Sequence, residues 1–544
     1  MSQATLPGGP PEEVAPENRP AEQPVPARLR APTPARRNPR VVLGLVGLTA
    51  VAVVLRLEGR GMSFWLDEGL SVGIASHPLS EIPGLLRLDG SPPLYYLVLH
   101  PWMQLFGTSE EAVRGLSLVL GLAAIPVAFW AGRSLFGRWV GWIAAVLAAS
   151  NGYLVYYSRE ARMYTLLVLT TLVCVTAFTH AFVFGRRRWL PVFVLALAAT
   201  LYTHNWGLYL AAGLAAAAGL CAVAADDRRR LLHDGALAAA ALAVLYAPWV
   251  PTLVYQAAHT GAPWSARPDP GDLAGVLGSI LGRNGVMVAL ALVGLPALVA
   301  LGRRWRSGGE ALAVAALAVA LVTAMLVAWS SSLLEPAWAG RYFGVFLPPA
   351  LLLAALGLAR EGRRGVLALV VVAVLAAQPL TQLPGLGPPG LPQKSNVRRA
   401  LALVEDLAGP GDLVISTQLE HVPLLRYYLG PSLRYADPTG PLEDPNVVDW
   451  RDATERLRAA SVGTGLAPLI EDLDVGGHAF LVCPRTDTDE DSLVWFRLME
   501  RHCRSWRNAL DDDPDLELVL GPVAPSPRGT PSTSIYVLVY QKRA

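Results

Sequence analysis

Val41-Val42-Leu43-Gly44-Leu45-Val46-Gly47-Leu48-Thr49-Ala50-Val51-Ala52-Val53-Val54-Leu55-Arg56-Leu57, followed after a short break by Phe64-Trp65-Leu66-Asp67-Glu68-Gly69, decides how the rest of the chain is read. As a helix the first run is about 25 Å long, close to the ~30 Å hydrocarbon core of a bilayer. The second stretch sets two adjacent carboxylates behind two aromatic rings at the edge of that run. A carboxylate pair at a bilayer surface is costly to desolvate, so it calls for a functional explanation.

Similar apolar runs recur at residues 110–131, 139–157, 163–184, 189–203, 206–225, 235–254, 285–301, 311–329, 343–359 and 364–381. With residues 41–57 they make eleven candidate spans. The 544 residues are 53% hydrophobic and 16% charged, against about 25% charged in soluble domains. This predicts an α-helical polytopic membrane protein rather than one large soluble core. The net charge of +2 hides strong segregation. Residues 1–40 are rich in Pro and Glu and end in Arg28, Arg30, Arg36, Arg37 and Arg40, which predicts a disordered tail. By the positive-inside rule that tail is cytoplasmic. Eleven spans then put every later basic break on the same side: Arg133/Arg138, Arg186–Arg188, Arg228–Arg230, Arg303/Arg304/Arg306 and Arg360/Arg363/Arg364. Residues 93–106 are apolar but follow Pro92-Pro93 and are too short to cross, which predicts an interfacial or re-entrant helix. The membrane-embedded part is expected over residues 41–383, with a first outer loop at 58–109.

Beyond residue 384 acidic residues become common and apolar runs shorten. Residues 413–416, 479–483, 516–521 and 535–540 read as strands; 396–407, 422–429 and 493–508 read as helices. The alternation predicts a small α/β domain over 384–544, on the outer face by parity.

The uncommon polar clusters fall on that same face. They are Asp67 and Glu68; Asp89 with Pro92-Pro93-Leu94-Tyr95-Tyr96; Ser158-Arg159-Glu160-Ala161-Arg162-Met163-Tyr164; Tyr202-Thr203-His204; and Arg341-Tyr342. The cytoplasmic breaks hold mostly repetitive Arg, which orientation alone explains. A carboxylate can take a proton from a hydroxyl or amine nucleophile, and Arg can neutralise a phosphate leaving group where water is scarce. Many apolar spans can hold a long lipid tail. Together these suit transfer of a sugar from a polyprenyl-phosphate carrier to an outer acceptor such as an envelope glycan, lipid or protein.

Trp65-Leu66-Asp67-Glu68, Pro92-Pro93-Leu94-Tyr95-Tyr96, Ser158 to Tyr164, Tyr202-Thr203-His204 and Arg341-Tyr342 with Pro348-Pro349 resemble, in matching order, the GT-C glycosyltransferases. More narrowly they are similar to the family 39 protein O-mannosyltransferase and aminoarabinose transferase relatives. The resemblance implies a GT-C-like core with a lipid-phosphate sugar donor, an extracytoplasmic site, and a first-loop Asp as base, here Asp67. Ser91 stands where that family often has His before Pro-Pro.

On this reading Asp67 accepts the acceptor's proton and Glu68 orients the acceptor or helps a metal. A single displacement then inverts the anomeric carbon of a hexosyl or pentosyl donor. Arg159, Glu160 and Arg162 fit either phosphate or sugar contact or a structural ion-pair set at a helix start. His204 reads as a ligand or as a satisfied polar group. Arg341, beside Tyr342, reads as donor-phosphate binding or as a headgroup anchor. Tyr95 is a candidate substrate contact, and Asp89 is either another or a helix cap. The outer carboxylates could bind a divalent ion, but their spacing specifies none. Cys174 and Cys221 lie in spans; Cys483 and Cys503 lie where a disulfide is permitted. No basic patch suits nucleic acid. The rival reading is a transporter or flippase of lipid-linked sugars, which would line its path with ionisable groups at mid-span.

Overall fold

The computed structural model describes residues 39–57, 62–282, 285–377, 394–486, 488–489, 491–523 and 533–543. The expected tail, up to residue 38, and the end of the last expected span lie outside the described residues. Over the described residues the eleven expected segments are largely helical. Among the described residues six helices are long and apolar enough to cross a bilayer: Pro39–Leu57, Glu110–Phe136, Tyr164–Val183, Gly207–Ala224, Arg228–His259 and Gly309–Leu334. Arg138–Ser150 and Leu347–Arg360 are shorter apolar helices. The molecule is a multi-pass membrane protein.

Small residues set the helix spacing. A Cβ on Gly213 would stand 2.2 Å from the Ala320 carbonyl oxygen, so helix Gly207–Ala224 meets Gly309–Leu334 backbone to backbone. One arginine inside a span is fully used. Arg56, buried on the first helix, donates to the carbonyls of Ala52 (3.0 Å) and Ala149 (2.9 Å) and to Ser158 Oγ (3.2 Å). The expected third span, 139–157, is broken. Asn151 ends helix Arg138–Ser150 and caps helix Gly152–Tyr157 by accepting the Leu154 N–H. Residues 93–106 form the short helix Leu94–Phe106.

The C-terminal part holds a mixed six-stranded sheet. Its strands are β1 Leu413–Ser416, β2 Arg434–Asp437, β3 Gly440–Pro441, β4 His478–Pro484, β5 Leu516–Val523 and β6 Ile535–Lys542, in the order β3-β2-β1-β4-β6-β5. β1 is parallel to β2 and β4, and the other pairs are antiparallel. Helix Val494–Asp511 buries Trp495, Met499 and Trp506, and a disulfide joins its Cys503 to Cys483 on β4.

Sheet and helices interlock through the first loop. Helix Leu66–Ala75 lies on helix Val422–Leu429 so closely that a Cβ on Gly69 would stand 2.8 Å from Leu424 Cα, and one on Gly73 would stand 2.1 Å from the Asn446 carbonyl oxygen. Tyr428 Oη accepts the Phe64 N–H (2.8 Å) and donates to Glu110 (2.5 Å), and His77 pairs with Asp444 (3.0 Å).

Candidate active site

The site begins with helix Leu66–Ala75. Glu68 reaches back to accept the Trp65 N–H (3.3 Å), closing the first turn, and both acidic residues sit where the helix dipole favours them. Their side chains part company there. Glu68 is 1% exposed and takes a two-pronged bond from Arg114, Nε to Oε1 at 2.8 Å and Nη2 to Oε2 at 2.6 Å. It also accepts the Ala161 N–H (2.9 Å). Both of its oxygens are taken by protein donors, the Arg114 guanidinium and the Trp65 and Ala161 N–H groups. Glu68 is the post that ties the first loop to the helix Glu110–Phe136 and to the segment before Tyr164. Arg114, distant in sequence, carried no local signal for this pairing.

Asp67 is the opposite case. Its Oδ2 is buried without a hydrogen-bond partner, with Arg162 Nε 3.9 Å away, too far for a hydrogen bond. Arg162 is held in place by its other end: Nη1 donates to Ser71 Oγ (3.1 Å), the Asp67 carbonyl (3.3 Å) and Tyr96 Oη (3.4 Å). Its Nε is left unpartnered. Tyr95, fully buried, meets Ser117 Oγ at 3.4 Å, which in turn donates to the Arg162 carbonyl (3.2 Å); Tyr95 therefore supports Arg162.

Arg341 approaches from the other side. Its guanidinium lies 4.1 Å from the Trp264 ring centre, 5.3 Å from that of Tyr342 and 6.0 Å from that of Trp65. Its Nε is buried without a partner, and Tyr153 Oη fixes its backbone by donating to the Arg341 carbonyl (2.5 Å). Lys394 is one of only two lysines in the chain. It stacks on the far side of this group, 4.2 Å from the Trp65 ring centre and 4.6 Å from that of Tyr156, and pairs with Glu160. Sequence reasoning missed it, although its rarity was a signal. Burial pushes the Glu160 carboxyl up, and Lys394 pulls it back. Arg159 donates to the Leu55 carbonyl, so it fastens this loop to the first helix.

His204 accepts the Trp206 N–H on Nδ1 (3.1 Å), and its ring centre is 4.6 Å from that of Tyr342. Burial first, then Arg162 and Arg341, hold it down at about 3, so it is a neutral imidazole at the edge of the cationic group. Asp89 caps no following helix, since Pro93 precedes Leu94–Phe106 without a side-chain bond. Its Oδ2 is buried without a partner, and burial raises its carboxyl while Ser91 and Arg162 oppose the rise. Among the described residues, no group of three or more His, Cys, Asp or Glu side chains is placed to hold a metal ion.

The bundle of apolar helices, with its first loop seated against the C-terminal sheet region, has the GT-C fold seen in ArnT. The sequence model of the dolichyl-phosphate-mannose-protein mannosyltransferases matches residues 90–255. The structure is similar to ArnT from Cupriavidus metallidurans in the apo state, with TM-score 0.60 and 15% identity, covering 92% of this chain and 98% of that one. The form of ArnT bound to undecaprenyl phosphate gives TM-score 0.58 at 15% identity, over 93% and 98%. The mycobacterial arabinofuranosyltransferase AftD gives 0.54 at 15% identity, over 92% of this chain and 40% of that one. A search of curated proteins finds no match.

Proposed function

We propose that this protein is a membrane glycosyltransferase that moves a sugar from a polyprenyl-phosphate donor to an acceptor outside the cytoplasm. The observation that carries the reading is a set of three buried atoms without hydrogen bonds, Asp67 Oδ2 and the Nε atoms of Arg162 and Arg341, the first two of them 3.9 Å apart. A carboxylate with a free oxygen is a base; buried arginines with free N–H groups are hosts for a phosphate. The likeness to ArnT, of which one form is bound to undecaprenyl phosphate, supports the donor class.

The step is one displacement. Asp67 Oδ2 takes the proton of an acceptor hydroxyl or amine as that atom attacks the anomeric carbon. The bond from that carbon to the phosphate oxygen breaks, and its electron pair leaves with the lipid phosphate. Arg162, Arg341 and Lys394 bear the growing charge. The face of attack is opposite the leaving group, so the product is inverted. Tyr342, beside Arg341, and neutral His204 line the donor end, and Asp89 lies within electrostatic reach of Asp67 and Arg162.

The cytoplasmic Arg breaks orient the site to the outer face of the plasma (inner) membrane, with the tail inside and residues 384–544 outside. The Cys483–Cys503 disulfide supports that orientation, because such bonds persist in oxidising compartments. The polar groups gather at one end of the helices, which favours an enzyme over the transporter reading.

The test is Asp67→Asn in membranes given a labelled lipid-phosphate sugar. The variant keeps its fold and undecaprenyl-phosphate binding while transfer falls by about 10²–10⁴-fold. Full activity in that variant would remove the central claim.

A further inference from the structure

The polar groups at the carboxyl end of β1 are not explained by the donor-binding groups. From β1 the chain runs out to β2 on one side, turns through β3, and returns to β4 on the other side of β1. The carboxyl ends of β1 and β4 therefore form a topological switch point, where open α/β sheets bind ligands. Both ends lie on the side facing helix Leu66–Ala75, since the helix that follows β1 packs on Gly69.

The loop leaving β1 carries a run of buried polar atoms without hydrogen-bond partners: Thr417 Oγ1, Gln418 Oε1, Glu420 Oε2, and both ring nitrogens of His421. Thr417 and His421 are fully buried, Gln418 is 2% and Glu420 6% exposed. Native structures seldom leave such atoms unpaired, because each has lost its water without gaining a partner. Here they sit on one short loop. Glu420 is held from the β4 side as well: Trp495 Nε1, on the helix that follows β4, donates to its Oε1 (3.1 Å). The second carboxyl oxygen is the free one, and Glu420 lies within electrostatic reach of Asp67.

We propose that this switch point is the acceptor subsite, and that Glu420 holds an acceptor hydroxyl beside Asp67. The proposal rests on the transferase reading and adds the chemical class of the acceptor. Arg162, Arg341 and Lys394 gather on the donor side, whereas the β1 loop from Thr417 to His421 contains no Lys or Arg. Burial holds His421 neutral, at about 4, and pushes the Glu420 carboxyl up to about 7. Neutral donors and acceptors of this kind suit an uncharged, hydroxyl-rich partner, a saccharide, rather than an anionic one. Glu420 is a binding and positioning residue; Asp67 remains the base.

The experiment uses the full-length protein in detergent or vesicles, with undecaprenyl phosphate as the donor-site probe. Envelope extract from a strain deleted for this gene supplies unmodified acceptor. Glu420→Gln is expected to bind undecaprenyl phosphate within about twofold of wild type. The amount of extract needed for half-maximal transfer should rise about tenfold or more. Thr417→Val, which removes one hydroxyl and little volume, should raise it by a smaller factor. Unchanged extract dependence in both variants overturns the subsite. So does a Glu420→Gln protein that loses undecaprenyl-phosphate binding and thermal stability together with transfer, because that is a structural role. Wild-type protein that neither binds undecaprenyl phosphate nor transfers sugar overturns the transferase reading itself.

Discussion

Glu68→Gln separates a structural carboxylate from a chemical one. In the wild type the Glu68 oxygens receive two guanidinium bonds, at 2.8 and 2.6 Å, and two backbone N–H bonds, at 2.9 and 3.3 Å. Both partners of the ion pair are nearly inaccessible, at 4% and 1%. The amide keeps the volume but removes the charge and turns one acceptor into a donor facing Arg114. Breaking a buried pair by removing one partner costs about 3–5 kcal/mol, because the remaining charge stays buried and unpaired. For a folded unit of about 500 residues, with an unfolding entropy near 2.1 cal/mol/K per residue, each kcal/mol moves Tm by roughly 1 °C. Thermal unfolding of the purified protein should therefore fall by about 3–5 °C. Arg114→Met should fall by a similar amount, and the double variant Glu68→Met/Arg114→Met should recover part of the loss, since it leaves no orphaned charge. Transfer activity should follow stability across the three variants. A Glu68→Gln protein as stable as wild type yet inactive would refute the structural assignment and return Glu68 to the chemistry.

Gly73→Val should disable the enzyme without touching a polar group. Its first side-chain atom would lie 2.1 Å from the Asn446 carbonyl oxygen, so helix Leu66–Ala75 must lift from the C-terminal part. Transfer should be lost while undecaprenyl-phosphate binding, measured in parallel, falls less. The His77–Asp444 pair gives a pH signature. Asp444 raises the His77 pKa above its ordinary 6.5, so this stabilisation is complete below pH 6.5 and fades as pH rises through the shifted value. The same bond lowers Asp444, whose contribution is present above its ordinary 3.8 and fades below it. Both groups are partly exposed, so the effect is about 1 kcal/mol or less. The Tm gap between wild type and His77→Ala should be open at pH 6 and closed at pH 9; an equal gap at both would count against the pair.

Much of the helical part was legible because one physical constraint dominates it: a run of ~20 apolar residues has few alternatives to a helix in lipid. In the C-terminal part, residues 422–429 were legible as a helix, and 413–416 and 535–540 as strands. β2 was not. Arg434-Tyr435-Ala436-Asp437 has neither a branched apolar run nor a clean alternation, and it becomes a strand through pairing with β1. The site divides in the same way. Asp67, Arg162, His204 and Arg341 were visible as unusual polar groups at the edges of apolar runs. The pairing of Glu68 with Arg114 was not, because the two are remote in sequence. Lys394 and the buried polar loop after β1 were hidden for a related reason: both come from beyond the last apolar span, where polar residues are ordinary.

The tight seat of helix Leu66–Ala75 on Val422–Leu429 also has a meaning in time. Leu424, against which the helix of Asp67 is braced, is made about 350 residues after Asp67, some 20–70 s at ordinary rates of synthesis. Until that later part has been made, helix Leu66–Ala75 has no seat and Trp65 lacks its contact with Lys394. The two halves that meet at this seat are thus far apart in time as well as in sequence.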